Sequence, residues 1–287
     1  MKTDAPTVDD VRRFWEANPL FRGETQHEIG SREYFEEHRQ VVIGDCFAGT
    51  LDERIFAVPT SARVLDLGCG PGFWLAEFGA RGFADLHAAD LTDRALRLAE
   101  QRCRVFGVSC TFQQQNAECL DFPDGMFDHV NCQGVIHHTP DTAASVGEIA
   151  RVLRDDGTAC LSVYYRNFVL RQWWWLRHPA RWISYCGATL RGRGRETIFA
   201  TAELDDLVRL YDGADNPIGK AYTDADFLAL LAPHFAVEET FLHFFPKRSL
   251  PLPIPQSLHR WLDRNLGFMI YARVRKLRTS ATVKLAA

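Results

Sequence analysis

The sequence predicts an α/β fold built on a doubly wound parallel sheet, and three observations carry that expectation. Short apolar runs alternate with helical patterns between residues 63 and 165, the order that buries a parallel sheet between two layers of helix. The first run, Val64-Leu65-Asp66-Leu67, ends in Gly68-Cys69-Gly70-Pro71-Gly72. Glycines at such a turn permit positive φ and let the backbone approach a ligand closely. The next run, Leu86-His87-Ala88-Ala89-Asp90, ends in a carboxylate, placed to accept hydrogen bonds from two ribose hydroxyls. These features describe a nucleoside pocket at the carboxyl edge of the sheet.

Taken in order, residues 7–17 and 31–57 read as two leading helices, divided by Asn18-Pro19 and Gly23. Gly44 and Gly49 weaken the later turns of the second. Strands are expected near 63–67, 85–90, 109–114, 127–133 and 158–165, with helices near 73–80, 92–106 and 142–153 between them. Thr92 is a natural N-cap, and Ala95, Leu96, Ala99 and Cys103 form an inward stripe behind it. The alternation breaks after residue 166. Residues 167–222 carry Trp173-Trp174-Trp175, a basic stretch from Arg191 to Arg195 and Tyr211-Asp212-Gly213, and an insertion of that length covers a pocket or makes an interface. A helix from Asp224 to Leu231 and strand-like runs over 235–245 and 267–274 follow. Leu250 to Pro255 reads as a stiff connector. This divides the chain into a helical cap at 1–57, a ligand-binding core at 58–166, a lid or acceptor insertion at 167–222, and the rest of the sheet at 223–287.

Glycine spacing selects the nucleotide. Dinucleotide folds use G-x-G-x-x-G, whereas here it is G-x-G-x-G with Asp66 beside it, and no G-K-S/T follows to grip phosphate. The carboxylate would repel a pyrophosphate and suits a cationic aminoacyl-sulfonium nucleoside. The segment resembles the first motif of class I S-adenosylmethionine-dependent methyltransferases. Three further motifs continue the likeness: Phe122-Pro123-Asp124-Gly125-Met126-Phe127-Asp128, Gly134-Val135-Ile136-His137-His138-Thr139-Pro140-Asp141, and the run from Glu148 to Gly157. They resemble the branch related to ubiquinone and menaquinone biosynthesis. The resemblance implies a Rossmann-like seven-stranded sheet of order 3-2-1-4-5-7-6 with an antiparallel last pair.

It also implies a site. Gly68, Cys69, Gly70 and Gly72 would pass beneath S-adenosylmethionine, Asp66 would hold its ammonium, and Asp90 its ribose hydroxyls. Leu91 would pack on adenine, which Asn116 and Ala117 would recognise, and Gln133 would face the methionyl side. Asparagine at 116 departs from the usual aspartate, although its carbonyl can still accept from the adenine amino group. Tyr34, with the neighbouring aromatics Phe14, Trp15 and Phe35, is expected to fold over the sulfonium, where cation–π attraction helps, and Arg39 to pair with the methionyl carboxylate. Candidates for proton transfer are His138, His243, Tyr164 and Tyr165. For His138 and its neighbour His137, positioning the cofactor loop competes with catalysis; for His243, core packing does. Only one of the two tyrosines can face the pocket, because strand side chains alternate.

Composition narrows the partners. The 287 residues are 46% apolar and carry a formal charge of −4, with no basic footprint for nucleic acid apart from the stretch 171–195. The first residues lack an apolar signal core, and no run of about 18 apolar residues is present, so a cytoplasmic protein is expected. Its eight cysteines show no C-x-x-C pair, which points to reduced, mostly buried thiols and no metal site. Three adjacent tryptophans cannot share one helix face. Some must meet an apolar acceptor, a partner or, transiently, a membrane surface. Nothing in the sequence fixes an oligomeric state. The expected function is methyl transfer to a small hydrophobic or aromatic metabolite. The alternatives are a lyase or cyclase releasing methylthioadenosine and a cyclised amino acid, and a non-catalytic cofactor-binding subunit.

Overall fold

A computed structural model describes residues 5–20, 25–185, 203–213, 215–250 and 253–278. The Arg191–Arg195 stretch, Gly23 and Cys186 lie outside the described residues, as does part of the 250–255 connector. Strands β1 (Arg63–Leu67), β2 (Asp85–Asp90), β3 (Thr111–Gln114), β4 (Phe127–Gln133), β5 (Leu153–Tyr165), β6 (Ala221–Tyr222), β7 (Phe235–His243) and β8 (Met269–Lys276) form one sheet. Its order is β3-β2-β1-β4-β5-β8-β7, with β6 pairing in parallel beside the end of β5. With the two-residue β6 set aside, this is the expected order 3-2-1-4-5-7-6. β8 runs antiparallel to both β5 and β7.

The leading helix α1 (Val8–Ala17) starts with a capping box, Thr7 and Asp10 exchanging hydrogen bonds. The second expected helix stops early. α2 (Arg32–Val41) passes into a π turn at Val42–Cys46, and only a short 3₁₀ turn, Glu53–Phe56, follows. Ala48 and Gly49 both adopt positive φ there, which ends helical geometry. Helices α3 (Phe73–Ala80), α4 (Asp93–Phe106) and α5 (Thr142–Val152) fall where the periodicity places them. β5 begins five residues earlier than expected. Pairing jumps from Phe127↔Leu153 to His129↔Thr158, so the intervening residues bulge, with Asp156 at φ 61°.

Among the described residues the insertion forms the helices α6 (Phe168–Arg171), α7 (Trp173–Tyr185) and α8 (Leu204–Asp212). Beyond α9 (Asp224–Leu231), the connector leads into α10 (Gln256–Leu266). Alternation along the strands produces two cores. Val64, Leu86, Cys160 and Tyr271 pack with Phe78 and Leu75 of α3 on one face. Leu65, Leu67, Val130, Leu161 and Ile270 pack with α5 and α9 on the other. The first face turns polar at its carboxyl end, where Asp66, Asn131 and Gln133 replace apolar side chains. That change marks the site.

Candidate functional site

The glycine loop is built for tight passage. Gly68, Gly70 and Gly72 have φ of 72°, 51° and 75°. A Cβ on Gly68 would lie 2.2 Å from Val135 Cγ2, and one on Gly72 2.9 Å from the Ala99 backbone. Those two glycines serve packing of the loop against β4 and α4. Gly70 differs, because a Cβ there would meet only Leu20 Cδ1 at 3.8 Å. Its open side faces a cleft.

Asp90 ties the cleft together. Its Oδ2 accepts from the Gly70 amide at 2.9 Å, and its Oδ1 from the amide and hydroxyl of Thr92 at 2.9 and 2.8 Å. Burial raises its pKa above the usual carboxylate value. A carboxylate offers about four acceptor positions, so Oδ2 retains one for a ligand hydroxyl. Gly68, Gly70, Leu91, Asn116, Ala117, Gln133 and His138 line the same cleft with Asp90. Gln115, also in the wall, was missed by sequence reading; its Oε1 accepts from the Asp121 amide. The Asn116 side-chain Oδ1 accepts from the Glu118 amide at 3.1 Å, forming an Asx turn. The cleft is closed by Val11 and Trp15 of α1 together with Leu20. Its free volume is about 150 Å³, below the roughly 300–1,000 Å³ typical of small-molecule sites.

Beneath the glycine loop, three side chains from neighbouring strands form a polar ladder. Gln133 Nε2 donates to Asn131 Oδ1 at 2.8 Å, and Asn131 Nδ2 donates to Asp66 Oδ1 at 2.7 Å. Asn131 was missed because a strand asparagine carries no motif signal. Asp66 Oδ2 and Gln133 Oε1 are buried with no hydrogen-bond partner among the described residues. Burial, reinforced by the nearby Asp90, raises the Asp66 pKa to about 7, against the pull of the Asn131 hydrogen bond. Two orphaned acceptors beside a glycine turn are what a cationic, hydrogen-bond-donating ligand would satisfy.

Asp66 and Gly72 lie behind the cleft wall and do not line it, and the structure does not bring the remaining candidates there either. Cys69 is buried beneath the loop. Arg39 does not reach a methionyl carboxylate: it is ion-paired to the buried Glu77 of α3 and lines a separate cavity at the amino edge of the sheet. Tyr34 is also corrected. It is 1% exposed and packs beside Phe35 against Val105 and Phe106 at the far end of α4. Of the aromatic pairs expected over the ligand, only Trp15 lines the cleft. His243 is buried against Phe47 and hydrogen-bonded through Nδ1 to Asp263 at 2.6 Å, three strands from β4. Tyr165 faces the second core, its hydroxyl donating to Asp224.

Tyr164 points the other way, and there a second cluster forms. Its hydroxyl donates to Asp212 of α8 at 2.9–3.0 Å. His138 donates from Nδ1 to the Ile218 carbonyl at 2.7 Å, which leaves Nε2 facing Asp212 Oδ2 at 3.5 Å. Trp15 approaches the His138 ring edge-on at 5.2 Å. His137 is fully buried, and burial, then His138 and Lys220, hold its pKa well below the ordinary imidazole value. Lys220 Nζ donates to the carbonyls of Thr139 and Pro140 and to Thr142 Oγ1, strapping the insertion's returning strand to the His138 loop. Trp173 joins the first core, while Trp174 and Trp175 are exposed and none of the three lines the cleft.

Comparison with known proteins finds likeness in the core of the sheet. Residues 64–157 match the methyltransferase domain family model. Over that third of the chain, it is similar to a methyltransferase domain. Over 106 residues it is 36% identical to a ubiquinone biosynthesis O-methyltransferase of Methylococcus capsulatus, a match covering 37% of this chain and 44% of that protein. It is 36% identical over 104 residues to the uncharacterized methyltransferase YcgJ of Bacillus subtilis, covering 36% and 41%. The chain thus spans under half the length of these curated relatives. A solved S-adenosylmethionine-dependent methyltransferase of Methanosarcina mazei superposes with a TM-score of 0.56 at 19% identity, over 80% of this chain and 99% of that one, which establishes the shared fold. S-adenosylmethionine is the cofactor of such a methyltransferase domain. The orphaned Asp66 and Gln133 oxygens, the free acceptor position on Asp90 and the open side of Gly70 fit it.

Proposed function

We propose that this protein transfers a methyl group from S-adenosylmethionine to a hydroxyl of a small hydrophobic or aromatic molecule. The observation that carries the reading is the His138–Asp212–Tyr164 cluster, of which His138 lines the glycine-loop cleft. Bound there, the cofactor supplies a sulfonium-activated, electrophilic methyl. The chain's own residues do the rest. Asp66 and Gln133 receive the ammonium end, Asp90 and Gly70 fix the ribose, and Leu91, Asn116 and Ala117 hold the base. Trp15 and Leu20 exclude water, which strengthens every electrostatic contact inside. His138 Nε2, held in its tautomer by the Ile218 carbonyl, accepts the acceptor proton, and Asp212 stabilises the resulting imidazolium. Hydroxyl methylation agrees with the O-methyltransferase names of the relatives. We read residues 167–222 as the lid that carries Asp212 to the site, with 1–57 capping the core 58–166 and 223–287 completing the sheet.

The test is a screen of phenols and catechols, with S-adenosylhomocysteine release measured by mass spectrometry. Release that depends on a phenol, and that falls about a hundredfold in kcat in His138→Gln, supports the reading. Methylthioadenosine formed from S-adenosylmethionine without any acceptor would overturn it in favour of a lyase or cyclase.

A further inference from the structure

The largest anomaly in the molecule lies at the opposite edge of the sheet from the glycine loop. Arg102 of α4 is 1% exposed and heads the fully buried side chains by size. Its Nη2 donates to the Phe35 carbonyl at 3.3 Å and to His38 Nδ1 at 2.7 Å, and the guanidinium sits 4.6 Å over the Phe35 ring. Nη1 is shielded from solvent and has no hydrogen-bond partner among the described residues. Among the described residues no carboxylate is hydrogen-bonded to it; Glu77 offsets the charge only through space and is itself engaged by Arg39 and Arg81. His38 cannot supply a counter-charge; it accepts from Arg102, and burial, then Arg102, hold its pKa well below the usual value. Burial presses the Arg102 pKa down to about 10, which still leaves it cationic at neutral pH. A buried guanidinium with unused donors and no hydrogen-bonded counter-ion is costly to the fold unless something else meets it.

Arg102 lines a cavity of about 470 Å³ between α2, α3 and α4, within the roughly 300–1,000 Å³ of small-molecule sites. Phe35, Phe73, Phe83 and Phe106 supply apolar wall. Two arginines against one already shared glutamate give the wall a positive excess. This cavity shares no lining residue with the glycine-loop cleft. We propose that it is a second ligand site, taking a small organic carboxylate with an apolar body, onto which the Arg102 guanidinium turns its unused donors when the ligand enters. A planar guanidinium pairs best with a planar carboxylate, and the phenylalanine wall suits an apolar chain better than a strongly hydrated phosphate. α4 joins the two sites, since Thr92 at its cap and Ala95 in its first turn line the cleft.

Isothermal titration of the whole chain with octanoate tests this, with 1-octanol and inorganic phosphate as comparators. Octanoate is expected to bind one to one, at least about tenfold tighter than either comparator. Arg102→Met should abolish that preference for octanoate over octanol. Ala76→Phe, which fills the cavity from the partly exposed face of α3 and leaves Arg102 in place, should weaken octanoate about tenfold or more without changing S-adenosylmethionine affinity. Equal binding of octanoate and octanol, octanoate binding retained in both variants, or no saturable binding at millimolar octanoate would each overturn the proposal.

Discussion

Asp66 sets stability against function within one side chain. Burial lifts its folded pKa to about 7, from an ordinary value of 3.8. The folded state therefore holds a proton that the unfolded chain has already released, which favours folding at low pH. That advantage is lost as pH rises from near 4 through about 7. Between pH 5 and pH 8 the loss amounts to roughly 2–3 kcal/mol. Asp66→Asn should escape it, so chemical denaturation should find the variant gaining that much relative to wild type over the same interval. A parallel pH dependence in both proteins would refute the assignment. The ligand effect has the opposite sign. An ammonium needs the ionised carboxylate, so the dissociation constant for S-adenosylmethionine should rise up to about tenfold per unit below pH 7 in wild type and stay flat in Asp66→Asn. The glycines make a second residue-scale test. Gly68→Ala drives a Cβ into Val135 and should unfold or severely destabilise the chain in a thermal melt. Gly70→Ala meets only Leu20 Cδ1 at 3.8 Å, so it should cost about 1 kcal/mol of stability while weakening cofactor binding.

Among the elements, α1 and α8 close the site from opposite sides. α1 packs on the start of α4, where the Arg94 amide donates to Glu16 and Arg97 pairs with the same carboxylate. Such exposed contacts contribute little. Trp15→Ala should raise the cofactor dissociation constant several-fold in equilibrium titration with little change in melting temperature. α8 contributes Asp212. Asp212→Asn keeps the shape and the Tyr164 contact but removes the charge opposite His138 Nε2. If the pair moves a proton, kcat should fall about tenfold or more with KM nearly unchanged, and the pH–rate profile should shift. A rise in KM alone would leave Asp212 only an anchor for the insertion. The difference between these elements explains what the sequence made legible. The strands and α3 to α5 announce themselves by apolar period and by Asp90 and the glycines at strand ends, because local geometry demands those residues. Asp212 carries no such mark. It reaches His138 only through a tertiary contact between positions 74 residues apart in the chain. Arg39 and Tyr34 were misplaced for the same reason, since a helix's amphipathic pattern says that it packs but not along which edge of the sheet.

For the whole molecule, the sheet does two jobs with its two edges. Its carboxyl edge gathers the glycine loop, Asp90, the Asp66–Asn131–Gln133 ladder and the His138 cluster; its amino edge holds the Arg102 cavity. Among the described residues no helix is long and apolar enough to cross a membrane, and Trp174, Trp175 and Trp182 stand exposed on the insertion. If the glycine-loop cleft, held by Asp90, binds S-adenosylmethionine, isothermal titration of S-adenosylmethionine into wild type and Asp90→Ala, each checked for folding by circular dichroism, will separate the two proteins. One-to-one binding is expected for wild type, and at least about tenfold weaker binding for a folded Asp90→Ala. No binding to wild type, or equal affinity in the two proteins, would contradict that expectation.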